Sequence, residues 1–138
     1  MPGSYLIDET QQIVFSRAWG EVTNLDLVDH ARTLRADPRF GPYFRQIVDF
    51  SDVTHVHVTS EGVRLLVHIN PFERAARRAF VVASDVAFGM ARMYQITLDP
   101  EPESLHICRN LGEGFVWLGL DPATPWPART PDHLTQVG

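Results

Sequence analysis

His55 and His57 stand two positions apart, so an extended backbone would turn both imidazoles to one side. Such a pair is a fragment of a metal site, with Asp49, Asp52 and His68 the nearest helpers in sequence. A structural zinc centre takes about four ligands. No such set is spaced here, so the histidines are expected to be partly solvated and no metal is expected. His106 and Cys108 repeat the same spacing, and the lone cysteine excludes an internal disulfide. A catalytic thiolate needs a lowered pKa, an orienting partner and a cleft. Between Ile107 and Arg109, Cys108 reads instead as a small hydrophobe of an internal strand. No Gly-x-Ser-x-Gly elbow, His-Glu-x-x-His pair or calcium loop occurs. Gly112-Glu113-Gly114 is too short to cradle a phosphate and is expected only to loosen a first helical turn. The chain is therefore expected to bind rather than catalyse, without a cofactor.

The binding chemistry gathers around Ala79–Ala83. Phe72 and the arginines Arg74, Arg77 and Arg78 precede that run, and Met90, Met93 and Tyr94 follow it. Methionine is unbranched and adapts to a ligand, while arginine offers a charged fork to a carboxylate or phosphate. Phe72, Arg78, Met90, Met93 and Tyr94 are thus the expected lining of a site for a small apolar or amphipathic anion. Ordinary core packing of the methionines, and solvation of the arginines beside Glu73, are the competing readings.

These residues belong to a chain of 138 residues, 44% hydrophobic and 21% charged, the size and composition of one globular domain. The 12 basic residues, all arginine, against 17 acidic ones leave a net charge of −5, which disfavours a nucleic-acid partner. No apolar run approaches the roughly 18 residues of a membrane span, and the first residues lack a signal-peptide pattern. A cytoplasmic location is expected.

The elements that would position these side chains follow from periodicity. Ser4–Asp8 and Ile13–Trp19 read as a hairpin broken by Gly20, and Thr23 or Asn24 caps a helix that ends at Asp37-Pro38. Phe44–Phe50 and Ala79–Ala83 read as strands buried on both faces. Between them Asp52–Val58 is a connecting stretch for which an extended form is open, and Thr59 or Ser60 opens a second helix ended by Pro71. A third helix follows Ser84-Asp85, with Val86, Met90, Met93 and Thr97 along one face. Leu105–Arg109 is a last strand, and Asn110 caps a helix that Gly119 ends. The alternation implies an α/β fold, a mixed sheet of about five strands opened by an antiparallel hairpin, with about four helices packed on it. Residues 1–120 form that domain. Residues 121–138, four of them proline, read as an extended or disordered tail in which Trp126 alone could anchor.

The order of these elements resembles the SpoIIAA-like branch of the STAS superfamily, whose fold is likened to the Sec14 lipid-carrier domain. The resemblance is carried by Leu27–Pro38 with Phe40, Ile47-Val48-Asp49-Phe50, Ala79–Ala83, Phe88–Met93 and Phe115–Gly119. It spans residues 5–119. It implies a regulatory or binding domain, expected as a homodimer with a small ligand or a protein partner. In the anti-sigma-factor antagonists of the superfamily, a kinase phosphorylates a serine in an Asp-Ser-Ser-Gly helix start. The matching positions here are His57, Val58, Thr59 and Ser60, so Thr59 falls on the phosphorylated position. The aspartate is replaced by His57 and the glycine by Ser60. The alternative expectation is thus an antagonist that docks a regulatory kinase through the Thr59 region, with Thr59 or Ser60 modified.

Overall fold

The first reversal of the chain is made by Gln12, whose φ of 58° lies in the left-handed region. It sets β1 (Gly3–Asp8) antiparallel to β2 (Ile13–Thr23), with Tyr5 opposite Ser16 and Ile7 opposite Val14. The structure, a computed structural model, describes residues 3–99 and 104–127 and the backbone of residues 134–136. After the hairpin come α1 (Asn24–Ala36), β3 (Arg45–His57), α2 (Ser60–His68), β4 (Arg78–Val81), α3 (Asp85–Leu98), β5 (Leu105–Cys108), α4 (Leu111–Trp117) and β6 (Leu134–Gln136). The strands form one sheet in the order β5-β4-β3-β2-β1-β6, with β2 to β5 parallel. The α/β mixed sheet with four helices is the fold class expected from the sequence.

Successive parallel strands advance one way across the sheet, so right-handed crossovers carry α1, α2 and α3 over the same face. The packing agrees. Val14, Val48 and Phe80 meet Leu34 of α1, Val63 of α2 and Ala87 and Ala91 of α3, in two adjoining clusters. On the opposite face Phe15, Ile47 and Ala79 pack against Phe115 of α4. A side chain on Gly114 would come within 3.0 Å of Ile47, so glycine is what lets α4 sit this close.

Each helix starts on a side-chain cap. Thr23 accepts from the Asp26 amide in a reciprocal capping box, and Thr59, Ser84 and Asn110 accept from the third residue into their helices. Each cap contributes about 1 kcal/mol. The first two are tied together. Asn24 Nδ2 donates to Thr59 Oγ1 over 2.9 Å, and the Thr59 amide donates to Asn24 Oδ1 over 3.1 Å.

Three expectations need correction, and the Asp52–Val58 connection takes its extended form. β2 does not stop at Gly20 but runs to Thr23, because two bulges and the φ of 71° at Gly20 absorb the irregularity. Asp52–His57 is likewise strand, held in the same parallel ladder. The buried face of α3 is Ala87, Ala91, Tyr94 and Gln95 rather than the Val86-Met93 face. Small alanines bring that helix onto the sheet, and Gln95 Nε2 donates to the Leu105 carbonyl over 2.6 Å. Finally, two described parts of the segment expected as an extended or disordered tail are docked, one of them through the expected anchor Trp126. Trp126 packs edge-on against Phe15 at 5.5 Å with the Arg17 guanidinium 4.5 Å over its ring, and β6 pairs antiparallel with β1 as a sixth strand. The rest of that segment, residues 128–133 and 137–138, lies outside the described residues. Among the described residues no helix is long and apolar enough to cross a membrane.

Trp126 joins the cluster on the α4 side as a partly buried member. Trp126→Ala is therefore expected to lower unfolding stability by about 1–3 kcal/mol in urea titration. A loss below about 0.5 kcal/mol, the size of a neutral surface change, would show that the ring adds nothing.

Candidate functional site

Between the sheet and its three-helix layer lies a cavity of about 140 Å³, partly open to solvent. Its floor is the face of β2, β3 and β4 that carries Ser16, Ala18, Gln46, Val48, Arg78 and Phe80. Alternation puts these residues on one side, at matching levels, because Ser16 pairs with Val48 and Gln46 with Arg78. Leu27 and His30 of α1, Val63 and Leu66 of α2, and Met90 and Ala91 of α3 form the roof. The cavity has about the volume that admits a benzene-sized group in an engineered protein cavity.

Arg78 is the electrostatic centre of the site. Only 7% of it is exposed, yet its partners are all neutral. Nε donates to Gln46 Oε1 over 3.0 Å, and Nη1 donates to Tyr94 Oη over 3.0 Å and to Asn70 Oδ1 over 3.3 Å. The guanidinium also lies 4.5 Å over the Phe72 ring and within 5.5 Å of those of Phe80 and Tyr94. Among the described residues no carboxylate stands within ion-pair distance of it. Transfer of an uncompensated cation from water costs several kcal/mol even after relaxation, and hydrogen bonds and ring faces offset only part of that.

The charge also sets the direction of a hydrogen-bond chain. Arginine only donates, so Gln46 must turn its oxygen to Arg78 and its amide nitrogen to Ser16 Oγ, 3.2 Å away. With His30 neutral and its proton on Nδ1, the Ser16 hydroxyl is left to donate to His30 Nε2 over 3.1 Å. Burial, and secondarily the positive charge of Arg78, push the His30 pKa down to about 4, in agreement.

Four of the five residues expected at a ligand site, Phe72, Arg78, Met90 and Tyr94, line this cavity. Met93 does not. It is 38% exposed on the outer face of α3, because the helix turns Ala91 and Tyr94 inward instead. The arginine cluster also separates. Arg74 pairs with Asp99 at 2.8 Å, and Arg77 stacks on Trp117 and donates to its carbonyl, leaving Arg78 alone to reach the cavity. Ser16, His30 and Gln46 escaped the sequence reading, whereas Asn70 is expected on the buried face of the second helix with Val63 and Leu66 and does line the cavity. The signal of the first three was a polar residue on the inward phase of an apolar strand, or between Leu27 and Leu34 on a helix face.

The remaining candidates lie elsewhere. His55 and His57 stack with rings 6.1 Å apart, exposed, each within 3.8 Å of Glu21 rather than of Asp49, Asp52 or His68. Thr59 and Ser60 are exposed, but the Thr59 hydroxyl is engaged by both Asn24 and the Gly62 amide. Cys108 is buried and its thiol donates toward the Phe80 and Asn110 carbonyls. Burial, and then the charge of Glu113, push its pKa up to about 11, so it is no thiolate nucleophile near neutrality. Comparison with family models, with curated proteins and with solved structures found no match to the chain.

A folded-state pKa near 4 for His30, against 6.5 when unfolded, fixes the sign of an acid effect. Between those values the unfolded chain binds a proton that the folded chain refuses, so stability falls as pH drops through the window. From pH 7 to about 4.5 the wild type is expected to lose about 2 kcal/mol more than His30→Gln, read by urea unfolding at each pH. Parallel losses in the two proteins would mean that His30 titrates normally.

Proposed function

We propose that the chain binds a small amphipathic carboxylate, its apolar part in the cavity and its carboxylate on Arg78. The observation that carries this reading is the buried guanidinium beside empty apolar volume, with only neutral protein partners. A carboxylate would supply the missing countercharge, and the fork geometry of arginine suits it. Leu66, Met90 and Phe80 would receive an alkyl or aromatic group of about benzene size. The site holds no activated nucleophile, and His30 is engaged with Ser16, which favours binding over catalysis. Membership of the SpoIIAA-like branch remains part of the same proposal. It rests on the order of strands and helices and on the quoted stretches, and a binding domain is what it would imply.

The test is calorimetric titration of the full chain with benzoate and hexanoate, beside benzyl alcohol and hexylamine of similar shape. The carboxylates are expected to bind at least about tenfold more tightly than the uncharged or cationic analogues, the ratio that one charge-assisted hydrogen bond yields. Arg78→Met should erase that preference. Met90→Trp, which fills the cavity and keeps the Arg78 side chain, should abolish binding of all four. Equal affinity for alcohol and carboxylate, or carboxylate binding that survives Met90→Trp, would refute the proposal. Native mass spectrometry of the same preparation reads any copurified ligand and whether the chain forms the expected homodimer.

A further inference from the structure

The opposite face of the sheet carries a second group of chemically able side chains. His106 and Cys108 lie two positions apart on β5, so the pleat points both toward α4. The turn capped by Asn110 then brings Glu113, in the first turn of α4, back over them. Its amide donates to Asn110 Oδ1 at 2.9 Å. One nitrogen, one sulfur and one carboxylate oxygen thus converge with all three ligand atoms within 4.8 Å of one another. His106 Nε2 and Glu113 Oε2 stand 3.8 Å apart. No other trio of histidine, cysteine or acidic residues does so among the described residues.

What surrounds the sulfur is rich in lone pairs and poor in donors. The Phe80 and Asn110 carbonyls lie 3.7 and 3.4 Å from Cys108 Sγ, with the Glu113 carboxylate beside them, and one thiol proton serves them all. Such a cluster suits a cation. The imidazole packs beside an anchored ring. The His106 ring lies 5.3 Å from that of Trp117, and Trp117 Nε1 donates to the Arg78 carbonyl over 3.1 Å.

We propose that His106, Cys108 and Glu113 bind one divalent metal ion of the zinc class. A thiolate and an imidazole select zinc over magnesium or calcium, and three protein ligands leave the fourth tetrahedral position to water. Zinc-to-ligand bonds of about 2.0–2.3 Å at the tetrahedral angle place ligand atoms about 3.3–3.6 Å apart, so the trio needs to contract by up to about 1.5 Å. Glu113 is exposed and His106 half-exposed, and both can move that far over the fixed sulfur. On binding, the Cys108 S–H bond breaks, its proton leaves to solvent and a sulfur–metal bond forms, with no change of oxidation state. This site is independent of the cavity, which lies across the sheet.

Cobalt(II) titration of the full chain tests it, since cobalt reports its ligands by absorbance. The expected result is one ion per chain, visible bands of tetrahedral cobalt and a near-ultraviolet thiolate-to-cobalt band, all displaced by zinc. Affinity should rise about tenfold per pH unit around neutrality as the thiol proton is released. Cys108→Ser should remove the thiolate band. Because that residue is buried, the surface variants His106→Gln and Glu113→Gln serve as well, and each should weaken binding at least tenfold. His55→Gln/His57→Gln should leave the bands unchanged. Cobalt bound without a thiolate band, affinity independent of pH, or undiminished affinity in His106→Gln would overturn the assignment.

Discussion

The parallel ladder between β2 and β3 is the constraint on which the other parts depend. It runs from Ile13 beside Arg45 to Thr23 beside His57, long enough to set both ends of the molecule. At its start it aligns Ser16 and Gln46, through which the Arg78 charge is conveyed to His30. At its far end it delivers the chain into α1 and α2 at the same level, where Asn24 and Thr59 share their hydrogen bonds. Gly62 is required there, because any side chain on it would lie 1.9 Å from Asn24 Oδ1. The starts of α1 and α2 are thus held to each other.

The space between helices and sheet is where two unfavourable features coincide. An apolar void and a buried cation each lower stability, and in a protein of ordinary stability, about 5–15 kcal/mol, the pair is a large fraction of the whole. Neither feature is needed to close the sheet. A methionine or leucine in place of Arg78 would pack against Phe72 and Phe80 without the charge. Most of the remaining interior is closed and paired, the buried Arg17 Nε without a hydrogen bond being an exception. Ile7, Ile13, Ile47 and Phe115 are fully enclosed, and Asp49, the buried carboxylate of the sheet, is met by Arg17 and Ser51.

The elements were legible in the sequence because local signals specified them. Thr23, Thr59, Ser84 and Asn110 each announce a helix start, and the double-sided apolar run Ala79–Ala83 announces a central strand. Arg78, Phe72, Met90 and Tyr94 were reachable for the same reason, since they flank that strand and the helix after it. What failed did so because its cause is not local. Met93 was expected inward on hydrophobicity, but the sheet selects the small face of α3, and apolar character alone carries no information on clearance. Gly20 breaks an isolated strand, yet a neighbouring ladder bridges it with two bulges. Ser16, Gln46 and His30 lie on three separate elements, and only pairing across about 30 positions joins the first two. The pairing of β6 with β1 is more distant still.

That last pairing bears on how the chain acquires its fold. Until residues 134–136 arrive, β1 presents an open row of backbone donors and acceptors, the kind of edge along which unrelated chains associate. Its partner is the segment of the sheet farthest from it in sequence, so loop-closure entropy makes this the slowest contact to form. At the other border β5 is only four residues long, too short to template a foreign strand well. The hazard of aggregation is therefore lopsided. It is concentrated in the interval before the final strand docks, and a chain shortened at that end would carry an adhesive edge even while its core stayed intact.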